Sequence, residues 1–400
     1  MFESPERNTP HPQRIAVVCL RRLGDVLLTA PLIRSLRQAY PDATIDALVF
    51  AGTEGVLAGN PDLDGIVSLP VRGGWRALLP LRRRYDLALC TQASDRPHLI
   101  SLWVARRRVS VVPARGGPGY HWKRWLSRRW TELPQGDTHT VVQYLRLAEA
   151  LGIAPVYAGS PPRTANDAAI AARLGDDWRA HAFAIVHPPP KFRYKAWTSE
   201  GWRQLVAWLC ERGLRVVVTG GGGADEIELA RALAATRPAG QVFSLAGSLQ
   251  FGDLTWLMES ARVFVGPDTS VTHLAAMTGV PTVALFGPSS PRIWAPWPAY
   301  DAPAAATPWQ QVAPLQHCGN VWLLQGLGDC VPCLLEGCER HINSASACLD
   351  LLPAQRVIDT VARVLDQPPG RSRSAAAAST ASVEMLRQAS SLMSSVNTRR

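Results

Sequence analysis

Short apolar, β-branched runs alternate with helical patterns twice along this chain, and that rhythm restricts the fold more than any other feature. The first series is "RIAVVCL", "TIDALVF", "DGIVSL", "YDLALC" and "RVSVVP". The second is "FAIVHP", "RVVVTG", "QVFSLAG", "ARVFVGP" and "TVALFGP", each ending at Gly or Pro. Strands separated by helices imply βαβ units and parallel sheets. Between the series lies "APVYAGSPPRTAND", whose Pro, Ala and Gly content reads as a domain junction. The 400 residues exceed what one hydrophobic core usually serves. The pattern therefore predicts an α/β protein of two Rossmann-like, doubly wound domains facing across a cleft. Their expected limits are residues 1–165 and 166–366, with residues 367–400 a Ser-, Ala- and Arg-rich, mostly disordered tail.

Open sheets of this kind bind ligands at the carboxyl ends of their strands, and the unusual residues fall at such ends. After the first strand comes "RRLGDVLLTAP", with Val26 to Tyr40 expected as one helix ended by Pro41. A carboxylate at a helix start is stabilised as the anion by the dipole and free N–H groups. Asp25 is thus expected to be ionised at neutral pH and able to take a proton from a hydroxyl across the cleft. The plainer alternative is that it only caps its helix.

In the second half, "VFVGPDTSVTHLAAMTG" puts Asp268, Thr269 and Ser270 where a strand gives way to a helix. Thr269 or Ser270 could cap that helix, and hydroxyls at a helix N-terminus make a natural phosphate site. His273 follows one turn in, as a ligand-facing or simply buried histidine. "VHPPPKFRYKAWTSEGW" delivers Lys195, a mobile positive charge for a diphosphate. "VVVTGGGGADEIE" sets Asp225 and Glu226 at another strand end, where an acid can accept hydrogen bonds from ribose hydroxyls. The glycines do not spell G-x-G-x-x-G, so a nicotinamide or flavin fingerprint is absent.

Four blocks, "RRLGDVLLTAPLIRSLRQAYPDATIDALV", "KAWTSEGW", "VGPDTSVTHLAAMTGVPTVALFGPSSP" and "CVPCLLEGCERHINSASACL", resemble in order and spacing the signature blocks of glycosyltransferase family 9. These are the ADP-heptose:lipopolysaccharide heptosyltransferases of Gram-negative bacteria. "LVFAGTEGVLAGNPDLDGIV" and the late cysteines most resemble the heptosyltransferase III branch. The resemblance implies a GT-B architecture and inverting transfer from ADP-L-glycero-D-manno-heptose, without catalytic metal or cofactor. The implied acceptor is the phosphorylated lipid A-core of lipopolysaccharide, at the cytoplasmic face of the inner membrane. By position, Asp25 resembles the general base, with Arg22, Gly24 and Thr29 supporting its loop or the acceptor. Lys195 looks like the diphosphate lysine, Asp268, Thr269, Ser270 and His273 the donor element, and Glu226 or Asp225 the ribose contact. Two departures stand out: Pro188-Pro189-Pro190 replaces small polar residues that could donate backbone hydrogen bonds, and Ser270 stands where Gly or Ala is common.

Charge is unevenly spread. Residues 71–130 hold fourteen Lys or Arg against two Asp and no Glu, which points to an anionic partner or a solvated basic face. "HWKRWLSRRW" is expected to put Trp122, Trp125, Leu126 and Trp130 near one helical face that could lie in a membrane interface. With a lipid-linked acceptor implied, peripheral contact with an anionic inner-membrane surface is expected, and no nucleic acid. The N-terminus lacks a signal-peptide pattern and no stretch approaches a membrane span, so a cytoplasmic site with eight reduced cysteines is expected. Cys330, Cys333, Cys338 and Cys348 are spaced as a zinc clip could be, with Cys318 and His341 nearby. Two other functions are compatible: a GT-B enzyme acting on a different nucleotide sugar, such as a UDP-sugar epimerase, or an inactive membrane-associated binding protein.

Overall fold

The computed structural model describes residues 11–134, 136–299 and 306–367. The expected tail, apart from Gln367, lies outside the described residues. The first sheet contains β1 (Arg14–Cys19), β2 (Thr44–Phe50), β3 (Gly65–Leu69), β4 (Tyr85–Cys90), β5 (Ala105–Val112) and β6 (Arg129–Glu132). It runs β3-β2-β1-β4-β5-β6, parallel throughout. The second contains β7 (Phe183–Val186), β8 (Arg215–Val218), β9 (Val242–Ser244), β10 (Val263–Pro267), β11 (Thr282–Phe286), β12 (Leu315–Cys318) and β13 (Val321–Gln325). Its order is β12-β13-β11-β10-β7-β8-β9, parallel except for the β12–β13 pair. Both sheets reverse strand order beside their first strand, so each has a switch point where a crevice opens.

Successive side chains of a strand point to opposite faces. Ile15, Val17 and Cys19 of β1 therefore enter one apolar cluster while Ala16, Val18 and Leu20 enter another. The first cluster does not stop at its own sheet. It continues through Leu27, Leu32 and Leu36 into Ile185, Val217 and Phe264 of the second sheet. One core joins the inner faces of both units.

The chain crosses between the units over residues 151–167. Helix Thr140–Ala150 packs on helix Ala30–Ala39 of the first unit, and helix Ala168–Leu174 packs on Phe251–Ser260 of the second. The crossing strand is pinned at both sides: Arg163 N–H donates to Ala58 O at 3.0 Å, and Thr164 Oγ1 donates to Asp253 Oδ1 at 2.9 Å. Gly59 sits there with φ +71°, and a Cβ on it would lie 1.9 Å from the Arg163 carbonyl oxygen. Gly59→Ala is expected to destabilise the protein by roughly 3 kcal/mol, visible as a lowered melting temperature.

A second clasp lies at His139, fully buried at the start of helix Thr140–Ala150. Its Nδ1 accepts from Val141 N–H, so Nε2 carries the proton donated to Ala295 O at 2.8 Å. Burial lowers its pKa to about 3, which keeps the ring neutral. Trp297 packs against it at 4.7 Å and Thr140 Oγ1 donates to Ile293 O.

Three sequence expectations need correction. The single helix Val26–Tyr40 is two, Leu23–Leu27 and Ala30–Ala39. Pro31 has no N–H to continue the ladder and its ring crowds the carbonyl four residues back, while Thr29 Oγ1 closes the first turn onto Val26 O at 2.6 Å. Trp130 is not on a helix with Trp122 and Trp125: that helix ends at Leu126 and Trp130 belongs to β6. The run "VWLLQ", unassigned from the sequence, is β13.

Candidate functional site

The loop from Leu20 to Thr29 leaves the carboxyl end of β1 and is held from beside by Gln92. That side chain accepts from Leu20 N–H at 2.7 Å and donates to Leu20 O at 3.1 Å. Asp25 is the third residue of helix Leu23–Leu27, and its side chain is only 11% exposed. Arg21, one turn earlier, donates from Nη1 to Asp25 Oδ1 at 3.1 Å. The dipole argument expected a depressed pKa; the structure reverses the direction. Burial raises the Asp25 pKa and outweighs the lowering by Arg21 and Arg22. A helix of five residues supplies little dipole against that desolvation. Arg21 was not singled out from the sequence, although its position four residues before Asp25 is the visible signal.

On the other unit, Lys195 ends the short turn Arg193–Lys195 after β7, and Asp268 follows β10. Lys195 Nζ meets Asp268 Oδ2 at 2.5 Å. Asp268 is buried, which pushes its pKa up, but Lys195 chiefly, with His273 and the Ser289 hydroxyl, brings the net value below the usual carboxylate range. Thr269 is the cap of helix Ser270–Thr278, accepting from Thr272 N–H at 3.3 Å, and Ser270 is the first helical residue. His273 is buried, its pKa is lowered to about 4 by desolvation, and its Nδ1 has no hydrogen-bond partner.

Glu226 folds back over the glycine loop and accepts from Gly221 N–H at 2.5 Å. A Cβ at Gly221 would sit 2.8 Å from its Oε2, so a larger residue there would push the Glu226 carboxylate aside. Asp225 shares the first turn of the same helix, Ala224–Ala234. Pro188 and Pro189 are buried against this edge: a Cβ on Gly220 would lie 3.2 Å from Pro189.

The two halves of the site touch. Helix Leu23–Leu27 packs on helix Ser270–Thr278. A Cβ on Gly24 would lie 3.4 Å from the His273 ring and 4.0 Å from Ser270 Cα. Arg22 reaches across to stack on Phe192, 4.7 Å from the ring centre, and Phe192 stacks on Tyr194 beside Lys195. Arg22 and Gly24 of the first unit thus touch Phe192, Ser270 and His273 of the second, with Asp25 next in the chain to Gly24 and the Lys195–Asp268 pair acting on His273. Thr29 is buried within its own loop, and Glu226 stands further along the carboxyl edge, at the start of the helix that follows β8. Phe192 escaped sequence reading because its role depends on a partner 170 residues away.

Among the described residues no group of three or more His, Cys, Asp or Glu is arranged to hold a metal ion. Cys348 is buried, its thiol pushed up to about 11 by burial and then by Cys333, Cys330 and Cys338, while His341 pairs with Glu339.

Two doubly wound units whose carboxyl edges meet around a shared crevice follow the GT-B plan. Escherichia coli ADP-heptose LPS heptosyltransferase II superposes on 88% of this chain and 98% of its own, with TM-score 0.66 and 19% identity. E. coli heptosyltransferase WaaC with ADP gives TM-score 0.64 at 20% identity over 88% of this chain and 99% of its own. By sequence, lipopolysaccharide heptosyltransferase 3 of E. coli K12 is 29% identical over 293 residues, 70% of this chain and 83% of that protein. The profile of glycosyltransferase family 9 (heptosyltransferase) matches residues 76–311, and the chain belongs to that family. It is a glycosyltransferase. The matched stretch contains Lys195, Asp268 and His273; the Asp25 loop precedes it.

Proposed function

We propose that this enzyme moves a heptosyl group, with inversion, from ADP-L-glycero-D-manno-heptose to the phosphorylated inner core of lipid-linked lipopolysaccharide, at the cytoplasmic face of the inner membrane. The observation carrying the reading is the contact of the Asp25 loop, through Gly24 and Arg22, with His273 and Phe192 of the other unit, which also holds the Lys195–Asp268 pair. Asp25 takes the proton of the acceptor hydroxyl; that oxygen attacks the anomeric carbon as its bond to the diphosphate breaks on the opposite side. ADP departs with the bonding pair and Asp25 ends protonated. A carboxylate with a raised pKa is the better base for this step.

The leaving diphosphate needs positive charge and hydrogen-bond donors. Lys195 has three N–H donors and spends one on Asp268, leaving two for phosphate oxygens. The open N–H groups at the start of helix Ser270–Thr278 add to them. The charge at the diphosphate is supplied by these side chains in this reading, with no metal assigned. Glu226 or Asp225 accepts from the ribose hydroxyls.

The donor is tested by offering ADP-heptose, UDP-sugars and GDP-sugars with truncated core lipids. Transfer from ADP-heptose alone is expected. Turnover of a UDP-sugar, or epimerisation without acceptor, would replace the reading with the other enzyme class.

The pH profile gives a second check. Protonated Asp25 cannot accept a proton, so kcat/KM falls as pH drops through its folded pKa. Burial raises that value above the ordinary 3.8, so the acid limb lies above the range of an exposed carboxylate. Arg21→Gln removes a lowering influence and moves the limb to still higher pH; an unmoved limb would assign it to another group.

A further inference from the structure

The outer face of the first sheet is covered by helices Trp75–Leu78, Asp95–Val104 and Tyr120–Leu126. Among the described residues, thirteen large apolar side chains are exposed, and eight of them lie between Val71 and Leu133. Trp125, at 84%, is the most exposed of these, and Leu79, Leu99, Leu102, Trp103 and Trp122 lie on or next to the same three helices. Scattered single exposures need no explanation, but a concentration on one face does.

The three helices present one surface. Trp103 Nε1 donates to Leu78 O at 2.6 Å, tying the second helix to the first. The His98 ring meets Trp122 edge-on at 6.0 Å, and buried Lys123 pairs with Asp95 at 2.7 Å, tying the third helix to the second. Arg82 lies 5.5 Å from the Trp103 ring and Arg124 4.4 Å from that of Trp130, so guanidinium groups rim the aromatic ones. Neither acid of this stretch is spare. Asp95 is matched by Lys123, and Asp86 accepts the backbone N–H groups of Gln13 and Arg14. Twelve cations thus remain in excess of carboxylates over residues 71–130, fourteen less two.

We infer that this face docks on an anionic phospholipid leaflet, with Trp125, Leu99 and Leu79 entering the interface and the arginines on the headgroups. Protruding tryptophan and leucine with a guanidinium rim match the polarity step of a lipid–water boundary. A nucleic acid would be met by the cations alone and would leave these apolar groups in water. The pose also suits the crevice. Helix Asp95–Val104 starts three residues after Gln92, whose side chain grips Leu20 at the head of the Asp25 loop. The start of that helix therefore lies beside the loop that carries Asp25.

The surface reading goes beyond the proposed reaction but serves its acceptor, so the test separates the two. Sedimentation with phosphatidylethanolamine vesicles containing phosphatidylglycerol is compared with neutral phosphatidylcholine vesicles, for the full-length wild type and for Leu99→Glu/Trp125→Glu. Both positions are exposed, so melting temperature should be unchanged. The expected result is anionic-vesicle binding that weakens with salt and falls at least about tenfold in the variant. Transfer to a short, water-soluble core acceptor should be equal in the two proteins. Equal vesicle binding by wild type and variant, or no preference for anionic lipid, would overturn the inference. So would a wild-type dimer that the variant converts to monomer, or binding of RNA without binding of vesicles. Docking with no transfer to the soluble acceptor would instead sink the proposed reaction and leave the docking face standing.

Discussion

Asp25→Asn is expected to lower the turnover number by about 10²–10⁴-fold while ADP binding, read by calorimetry, stays within about twofold of wild type. The amide keeps the size of the side chain and fills the same partly buried place, but cannot accept the acceptor's proton. Because Asp25 belongs to the first unit and the nucleotide-facing residues to the second, the loss should fall on kcat and spare the donor. The Arg21 guanidinium, no longer opposite a charge, would remain solvated, since its side chain is half exposed. An Asn variant with wild-type turnover would remove Asp25 from the chemistry and reduce it to a helix residue. A variant that loses ADP affinity as well would mean that the loop supports the donor helix through the Gly24–His273 contact.

Lys195→Ala should show the opposite division. Removing the Lys195 ammonium group takes charge from where the proposed reaction puts both the bound diphosphate and the departing one. A fall of about 10²–10³-fold in kcat/KM is expected, with ADP binding weakened by at least about tenfold. Asp268 would at the same time become a buried carboxylate without its cation, and its pKa would rise, because burial alone pushes it upward. Lys195→Arg should restore charge but only part of the rate, since a planar fork does not reproduce a compact ammonium between a carboxylate and phosphates. An Ala variant with unaltered ADP affinity would place the diphosphate elsewhere.

Much of this could be read before any coordinates, for definable reasons. The β1–β5, β7 and β8 runs, β10 and β11 are dense in Val, Ile, Leu and Ala, and those of the second series run on into Gly or Pro, so there periodicity and punctuation agree. Lys195, Asp268 and Thr269 were visible because strand ends are where such folds keep polar residues. The break between Leu27 and Ala30 was written in Pro31, yet the apolar stripe continues across it and masked the signal. β6, "RWTE", is only four residues and partly exposed, so neither alternation nor an apolar run marks it. β13 stood beyond the last expected strand, and its antiparallel partner β12 shows little apolar pattern.

The direction of the Asp25 shift was also out of reach. It depends on how deeply the fold buries the carboxylate, which no local window contains. The same holds for Glu226, whose side chain returns to its own glycine loop, and for the cation stack of Arg22 on Phe192. Long-range pairs of this kind leave no spacing to count.

The shared core has a consequence for handling the protein in pieces. Leu27 and Leu32 from one unit and Phe264 and Leu274 from the other belong to a single buried cluster. Severing the polypeptide near residue 160 would strip each fragment of half its oily interior, and wetting so much greasy area is unfavourable. Separately expressed lobes should clump, whereas co-expressed ones should find each other and reconstitute a working whole.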